Sequence, residues 1–184
     1  MKLIGEQFAL VVNSIDDFIA SSQINLGLKN WVQDDVNALT IFDLDEDLHP
    51  RPYGDGSSFP ALRYQIAFNY DLIPGMEFEI IHPISGWSVH KDVKNGGFGH
   101  IGYHLPDKDT FVAHIARLLE QGGTVVQICV TTKHSSSKRF YQYAYVRFPN
   151  VPVPFKIIQR LEKCFTISEA ESLKHMYTSL WGKK

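Results

Sequence analysis

The sequence predicts an α+β fold: two paired βαβββ modules forming a cupped mixed β-sheet with helices outside, plus a C-terminal helix. Three observations carry this. The stretch "FEII" at residues 78–81 returns as "FKII" at 155–158. The order strand, helix, strand, strand, strand can be read twice along the chain, and each quoted motif falls on the last strand of its unit. A third apolar stripe at helical spacing follows the second unit. One four-stranded sheet with one helix leaves a face uncovered, so two such units curl around a common cup.

In the first module, residues 5–83, "QFALVV" is β-branched and apolar and reads as a strand. Asn13 and Ser14 offer a cap for a helix carrying Ile15, Phe18 and Ile19, and Gly27 is a natural stop. "NALTIFDL" is a strand, and a loop rich in Asp, Pro and Gly runs through "HPRPYGDGSSFP". "RYQIAFNY" and "EFEIIHP" are strands joined by a turn at Pro74 and Gly75. In the second module, residues 98–162, "HIGYHL" opens. A helix from about Asp107 to Gln121 presents Phe111, Val112, Ile115, Leu118 and Leu119 on one face, and Gly122 and Gly123 close it. "TVVQICVT", "FYQYAYVRF" and "VPFKIIQRL" complete it. In the extension, residues 166–182, Ser168 with Glu171 reads as a capping box. Leu173, Met176, Tyr177, Leu180 and Trp181 form an apolar stripe that packs on the same chain or makes a homodimer contact. The whole, residues 1–184, reads as one domain.

Composition narrows the function. The 184 residues are 44% apolar and 21% charged, with a formal net charge of −2, which calls for neither nucleic acid nor an anionic membrane as partner. There is no run of about 18 apolar residues and no signal-peptide pattern at the start. The two cysteines, Cys129 and Cys164, lie in apolar surroundings without CxxC spacing and read as thiols of a reducing compartment. A cytoplasmic location is the expectation.

Alternation along strands selects the candidate site. Glu77, Glu79 and Ile81 share a face, as do Lys156, Ile158 and Arg160; Gln7, Ala9 and Val11; and His100, Gly102 and His104. Phe8, Leu10 and Val12, with Ile101, Tyr103 and Leu105, form apolar faces expected to pack on helices. Gln7, Glu79, His100 and Lys156 therefore point into the cup. Carboxylate, imidazole and amide oxygen ligate divalent metals, whereas a protonated lysine does not. Glu79 and Lys156 are the candidate catalytic pair. Gln7, His100, His104, Gln65 and Trp87 are candidate ligand-binding residues, Trp87 as a shield at the cup mouth. His90, in the connecting loop, reads as solvated. Tyr141, Tyr143 and Tyr145 line a pocket or pack as core, and "KHSSSKR" reads as a solvated hairpin loop that could also greet an anion.

From about Gln7 to Leu161, through "FEIIHP", "GGFGHIGYHL" and "FKIIQR", the chain resembles the vicinal oxygen chelate superfamily. That superfamily includes glyoxalase I, methylmalonyl-CoA epimerase, extradiol dioxygenases and bleomycin-resistance proteins. The resemblance implies a divalent metal ion held by a His on a first strand and a Glu or Gln on a last strand. His100 and Glu79 match such positions, while Gln7 stands where a histidine is usual and Lys156 where a glutamate is usual. Two functions follow as expectations: a metal-assisted isomerase or lyase of glyoxalase or epimerase type acting on an oxygen-rich carbonyl or carboxylate metabolite, or a metal-free binding or sequestering protein of bleomycin-resistance type.

Overall fold

The computed structural model describes residues 4–43, 59–132 and 139–181; His49 with most of its loop, and residues 133–138 with His134, lie outside them. The first module is β1 (Ile4–Val11), α1 (Ile15–Leu26), β2 (Val32–Asp43), β3 (Ala61–Asn69) and β4 (Met76–Ser85). The second is β5 (Gly97–Leu105), α2 (Lys108–Glu120), β6 (Thr124–Thr131), β7 (Phe140–Arg147) and β8 (Phe155–Leu161), and α3 (Ile167–Trp181) follows. β2 begins at Val32, five residues before the expected "NALTIFDL", because "VQDDV" alternates and pairs with β3 from Val32 opposite Phe68 onward.

The two modules have the same internal order. β4 is parallel to β1 and β8 is parallel to β5, while all other pairs are antiparallel. The cup closes fully: β1 pairs with β5 and β2 with β6, giving a barrel in the order β1-β4-β3-β2-β6-β7-β8-β5. Closure leaves no sheet edge. Ala9 is opposite Glu79 in one module and Gly102 is opposite Lys156 in the other, so the carboxylate and the ammonium occupy equivalent places.

Local chemistry sets the helix ends. Ser14 accepts from the Asp17 amide and Gly27, at φ 67°, ends α1 in the left-handed region. The Asp107 carboxylate accepts from the Thr110 amide at the start of α2. The capping box of α3 lies two residues before the expected one: the Thr166 amide donates to Glu169 Oε2 at 2.8 Å and the Glu169 amide to Thr166 Oγ1 at 3.2 Å. Ser168 falls inside the first turn, where its carbonyl accepts from Ser172.

Three apolar layers hold the barrel. Ile15 and Ile19 of α1 cover Phe78 and Ile80 on the outer side of the first module. Phe111 and Ile115 of α2, with Ala170, Leu173 and Tyr177 of α3, cover the outer side of the second, and the Tyr177 hydroxyl donates to Gln142 Oε1. Leu173 and Tyr177 of the α3 stripe are thus buried on their own chain and Met176 packs against the same cluster, while Leu180 is exposed. Ile101 departs from expectation: this side chain is exposed. Inside, Ala9, Leu62, Tyr64, Cys129, Tyr143, Tyr145 and Ile158 form a third cluster. Cys129 and Cys164 are not joined by a disulfide.

Candidate functional site

A cavity of about 330 Å³ occupies one end of the barrel. Glu77, Glu79, Gln7, Lys156 and His104 form its polar wall, and Val36, Tyr64, Ile66 and Phe68 form the facing wall. Each of these lies on the inward face that strand alternation assigns. The opposite end is plugged by residues 86–96, between β4 and β5. Gly86 allows the chain to turn in at φ 85°, and a β-carbon there would sit 2.3 Å from the Ala61 carbonyl. Gln127 of β6 fastens the plug: its Nε2 donates to the Trp87 carbonyl at 3.0 Å and its Oε1 accepts from the Val89 amide.

Gln7, Glu79, His100 and Lys156 meet at the junction of β1, β4, β5 and β8. Lys156 Nζ donates to Glu79 Oε2 at 3.2 Å and Oε1 at 3.4 Å. His100 Nε2 lies 3.0 Å from Glu79 Oε2 and 2.9 Å from Gln7 Oε1, so one N–H is shared between two acceptors. Gln7 Nε2 in turn donates to Glu77 Oε2 at 3.0 Å. Gly102 makes room for this chain, since a β-carbon there would lie 2.9 Å from Gln7 Oε1.

Burial works against the Glu79 charge, but the Lys156 ammonium and the His100 N–H together outweigh it and hold the carboxyl at about 2. Burial and the same ammonium push His100 down to about 4, so its imidazole is neutral at pH 7. With Nε2 donating, His100 Nδ1 is a bare acceptor, buried and without a partner. The His90 ring stacks on it at 5.3 Å between centroids, and His90 Nε2 contacts the Tyr145 hydroxyl at 3.2 Å. His90 is also held neutral, by burial first and by its neighbours' charges second.

Several expected positions move. Gln65 is exposed on the outer face of β3, where it borders a small groove with Ile15, Asp16 and Asp35, and it does not reach the cavity. Trp87 belongs to the plug, at the far end from the mouth, because the chain leaves β4 at its C-terminal end. His90, expected in solvent, is 1% exposed. No local pattern in "SGWSVHKD" announces that burial, which follows from the loop folding into the barrel. His104 does line the cavity, its Nε2 3.5 Å from Glu77 Oε2 without hydrogen-bond alignment. Tyr141, Tyr143 and Tyr145 all line it. Glu77, Asp34 and Arg139 also line the cavity and lie outside the four-residue set, although alternation already placed Glu77 on the face of Glu79.

The donor set does not fit a divalent metal ion. Glu79 is taken by an ammonium, and His100 presents a proton, not a lone pair, to the junction. A dication about 4 Å from a lysine ammonium meets roughly 8 kcal/mol of repulsion at an effective dielectric constant of about 20. Among the described residues no group of three or more His, Cys, Asp or Glu side chains could hold a metal.

No protein-family model matches the chain, and no curated protein matches it. Solved structures do. A mutant 4-hydroxymandelate synthase from Streptomyces coelicolor is 12% identical with a TM-score of 0.45 over 95% of this chain; the chain spans 55% of the length of that protein. Methylmalonyl-CoA epimerase from Mycobacterium tuberculosis is 15% identical with a TM-score of 0.47, over 86% of this chain and 89% of the other. A variant Streptomyces coelicolor methylmalonyl-CoA epimerase in complex with 2-nitronate-propionyl-CoA is 12% identical with a TM-score of 0.46, over 90% and 99%. Strand order and register, independently of these likenesses, define two βαβββ modules with parallel first and last strands closed into one barrel, the paired-module architecture expected from the sequence. One fold hosts many chemistries, so function has to be argued from the site.

Proposed function

We propose that this protein binds a small organic molecule in its barrel cavity without a metal ion, as a binding or sequestering protein and not as a metal-assisted isomerase or lyase. The observation that carries this reading is the Lys156 to Glu79 ion pair at 3.2 Å, in the place where the resemblance implies a metal between two last-strand carboxylates. The cavity supports it too: about 330 Å³ lies within the range of small-molecule sites, and the wall combines apolar and aromatic surface with a few fixed polar groups.

The test is elemental analysis of protein purified without chelator, followed by titration with Zn²⁺, Mn²⁺ and Ni²⁺. The wild-type chain is expected to hold far less than one equivalent of any of them, and Lys156→Glu to bind at least tenfold more tightly. Near-stoichiometric metal in the wild-type chain, displaced competitively by a cavity ligand, would overturn the reading.

A further inference from the structure

The charges lining the cavity do not cancel. Glu79 and Lys156 neutralise each other at 3.2 Å. Asp34 and Arg139, towards the mouth, carry one charge of each sign, and each has an interaction of its own. Glu77 remains. Its side chain is 25% exposed, and its polar contacts are all to groups other than lysine or arginine: the Gln7 amide at 3.0 Å, the Tyr70 hydroxyl and the His104 imidazole at 3.5 Å. Among the described residues no lysine or arginine pairs with it. Among the described residues the cavity therefore presents one uncompensated carboxylate, and the Lys156 ammonium of its lining is already committed.

Around that carboxylate the wall is aromatic: Tyr64, Phe68, Tyr70, Tyr141, Tyr143 and Tyr145. Aromatic faces attract cations through the ring quadrupole, most strongly where water is excluded. The site already contains one such contact, because Lys156 Nζ stands 5.5 Å from the centre of the Tyr143 ring. At the mouth, Val32 and Tyr70 are exposed apolar side chains that continue the lining outward, and Leu72 and Ile73 of the adjoining β3–β4 turn are exposed as well. A carboxylate ligand would meet Glu77 with like charge, and the described cations of the lining, Lys156 and Arg139, already have partners of their own. That charge balance points away from the carboxylate among the oxygen-rich carbonyl or carboxylate metabolites expected from the sequence.

Resting on the metal-free reading, we infer that the cavity takes an organic cation, a protonated or quaternary amine on a flat apolar body, with Glu77 as counter-charge and the tyrosine wall as cage. A neutral molecule of the same shape gains the apolar contacts but not the charge term. An anion loses on both counts.

The experiment compares benzyltrimethylammonium, its uncharged carbon isostere neopentylbenzene, and phenylmethanesulfonate, by equilibrium binding to the full chain. It is run at pH 8, above the ordinary titration range of imidazole, so that histidines add no competing charge. The cation is expected to bind at least tenfold more tightly than the isostere, with the sulfonate weakest. Glu77→Gln is expected to abolish the preference while leaving the isostere's affinity within twofold; its partly exposed position makes it a mild change to the fold. Equal binding of cation and isostere, tighter binding of the sulfonate, or a preference that survives Glu77→Gln each overturns the charge assignment alone. Binding of none of the three overturns the cavity as a ligand site, and with it the proposed function.

Discussion

Replacing Lys156 by Met tests the centre of the site, because it removes the cation and keeps the length of the apolar stem. Glu79 is 1% exposed, and its carboxyl is held at about 2 against an ordinary 4.5. At about 1.4 kcal/mol per pK unit, that depression contributes about 3 kcal/mol at pH 7. The sign follows from which state binds the proton more weakly. The folded carboxyl is the stronger acid, so its contribution is complete above about 4.5 and is lost as the pH falls towards 2. Without Lys156, burial dominates and the folded carboxyl moves above its unfolded value, so the contribution changes sign. A loss of about 3–5 kcal/mol at pH 7 is expected, the range for stripping one partner from a buried ion pair. Urea unfolding followed by circular dichroism measures it; with a slope of roughly 2 kcal/mol per molar, the midpoint falls by about 2 M. The deficit relative to wild type should narrow between pH 7 and pH 5, as the buried carboxyl protonates, and Lys156→Arg should recover most of it. A Met variant within about 1 kcal/mol of wild type at pH 7, with an unchanged pH profile, would refute the claim that this ion pair holds the junction together.

Acid should weaken the wild-type chain through its buried histidines. His100 is held at about 4 against 6.5, so the unfolded state binds its proton first and about 3 kcal/mol disappears between pH 6.5 and 4, readable in the same urea series. Gly102→Ala places a methyl 2.9 Å from Gln7 Oε1 and 3.3 Å from the Lys156 carbonyl; a loss of about 1–3 kcal/mol is expected from thermal unfolding, together with weaker binding of whatever ligand the cavity takes. Gly86→Ala combines φ 85° with a contact of 2.3 Å to backbone, and a drop of roughly 2 kcal/mol or more, with altered tryptophan emission from a loosened plug, is expected. Tyr177→Phe leaves buried Gln142 Oε1 without its 3.0 Å donor and should cost about 1–2 kcal/mol in the same measurement.

Period-two alternation was enough to bring the junction together on paper. Gln7, Glu79, His100 and Lys156 sit on first and last strands whose inward faces are fixed by apolar neighbours such as Phe8 and Phe78, and a slip of one residue would turn Glu79 towards α1 and Lys156 towards α2. The same rule could not place His90 or Trp87. They lie in a loop, where side-chain direction depends on Gly86 turning the chain inward and on Gln127 catching the Trp87 carbonyl 40 residues away in sequence. Gln65 fails for a simpler reason: it alternates with Tyr64 and Ile66, which point into the barrel, and so it faces outward. The capping box shifted because Ser168 with Glu171 and Thr166 with Glu169 have the same spacing, and only the position at which β8 releases the chain chooses between them. Barrel closure through β2 and β6 was not legible either, since pairing across modules leaves no mark in local periodicity.

The exchange between "FEII" and "FKII" has a physical reading in charge balance. A buried cluster far from neutrality is expensive, and its members must be compensated within a few ångströms. Two last-strand carboxylates would bring two negative charges to the β1–β5 junction, which a divalent ion would cancel. One carboxylate and one ammonium cancel each other, with neutral His100 and Gln7 supplying the remaining hydrogen bonds. Both arrangements are neutral, and a single substitution at residue 156 moves the junction from one to the other. Lys156→Glu should therefore be destabilised without metal and restored by it, so that its melting temperature depends on divalent ion concentration while that of the wild-type chain does not. In the wild type, the neutral junction also hands the choice of ligand to the nearest charge it leaves unbalanced, Glu77, two residues before Glu79 on the same inward face of β4.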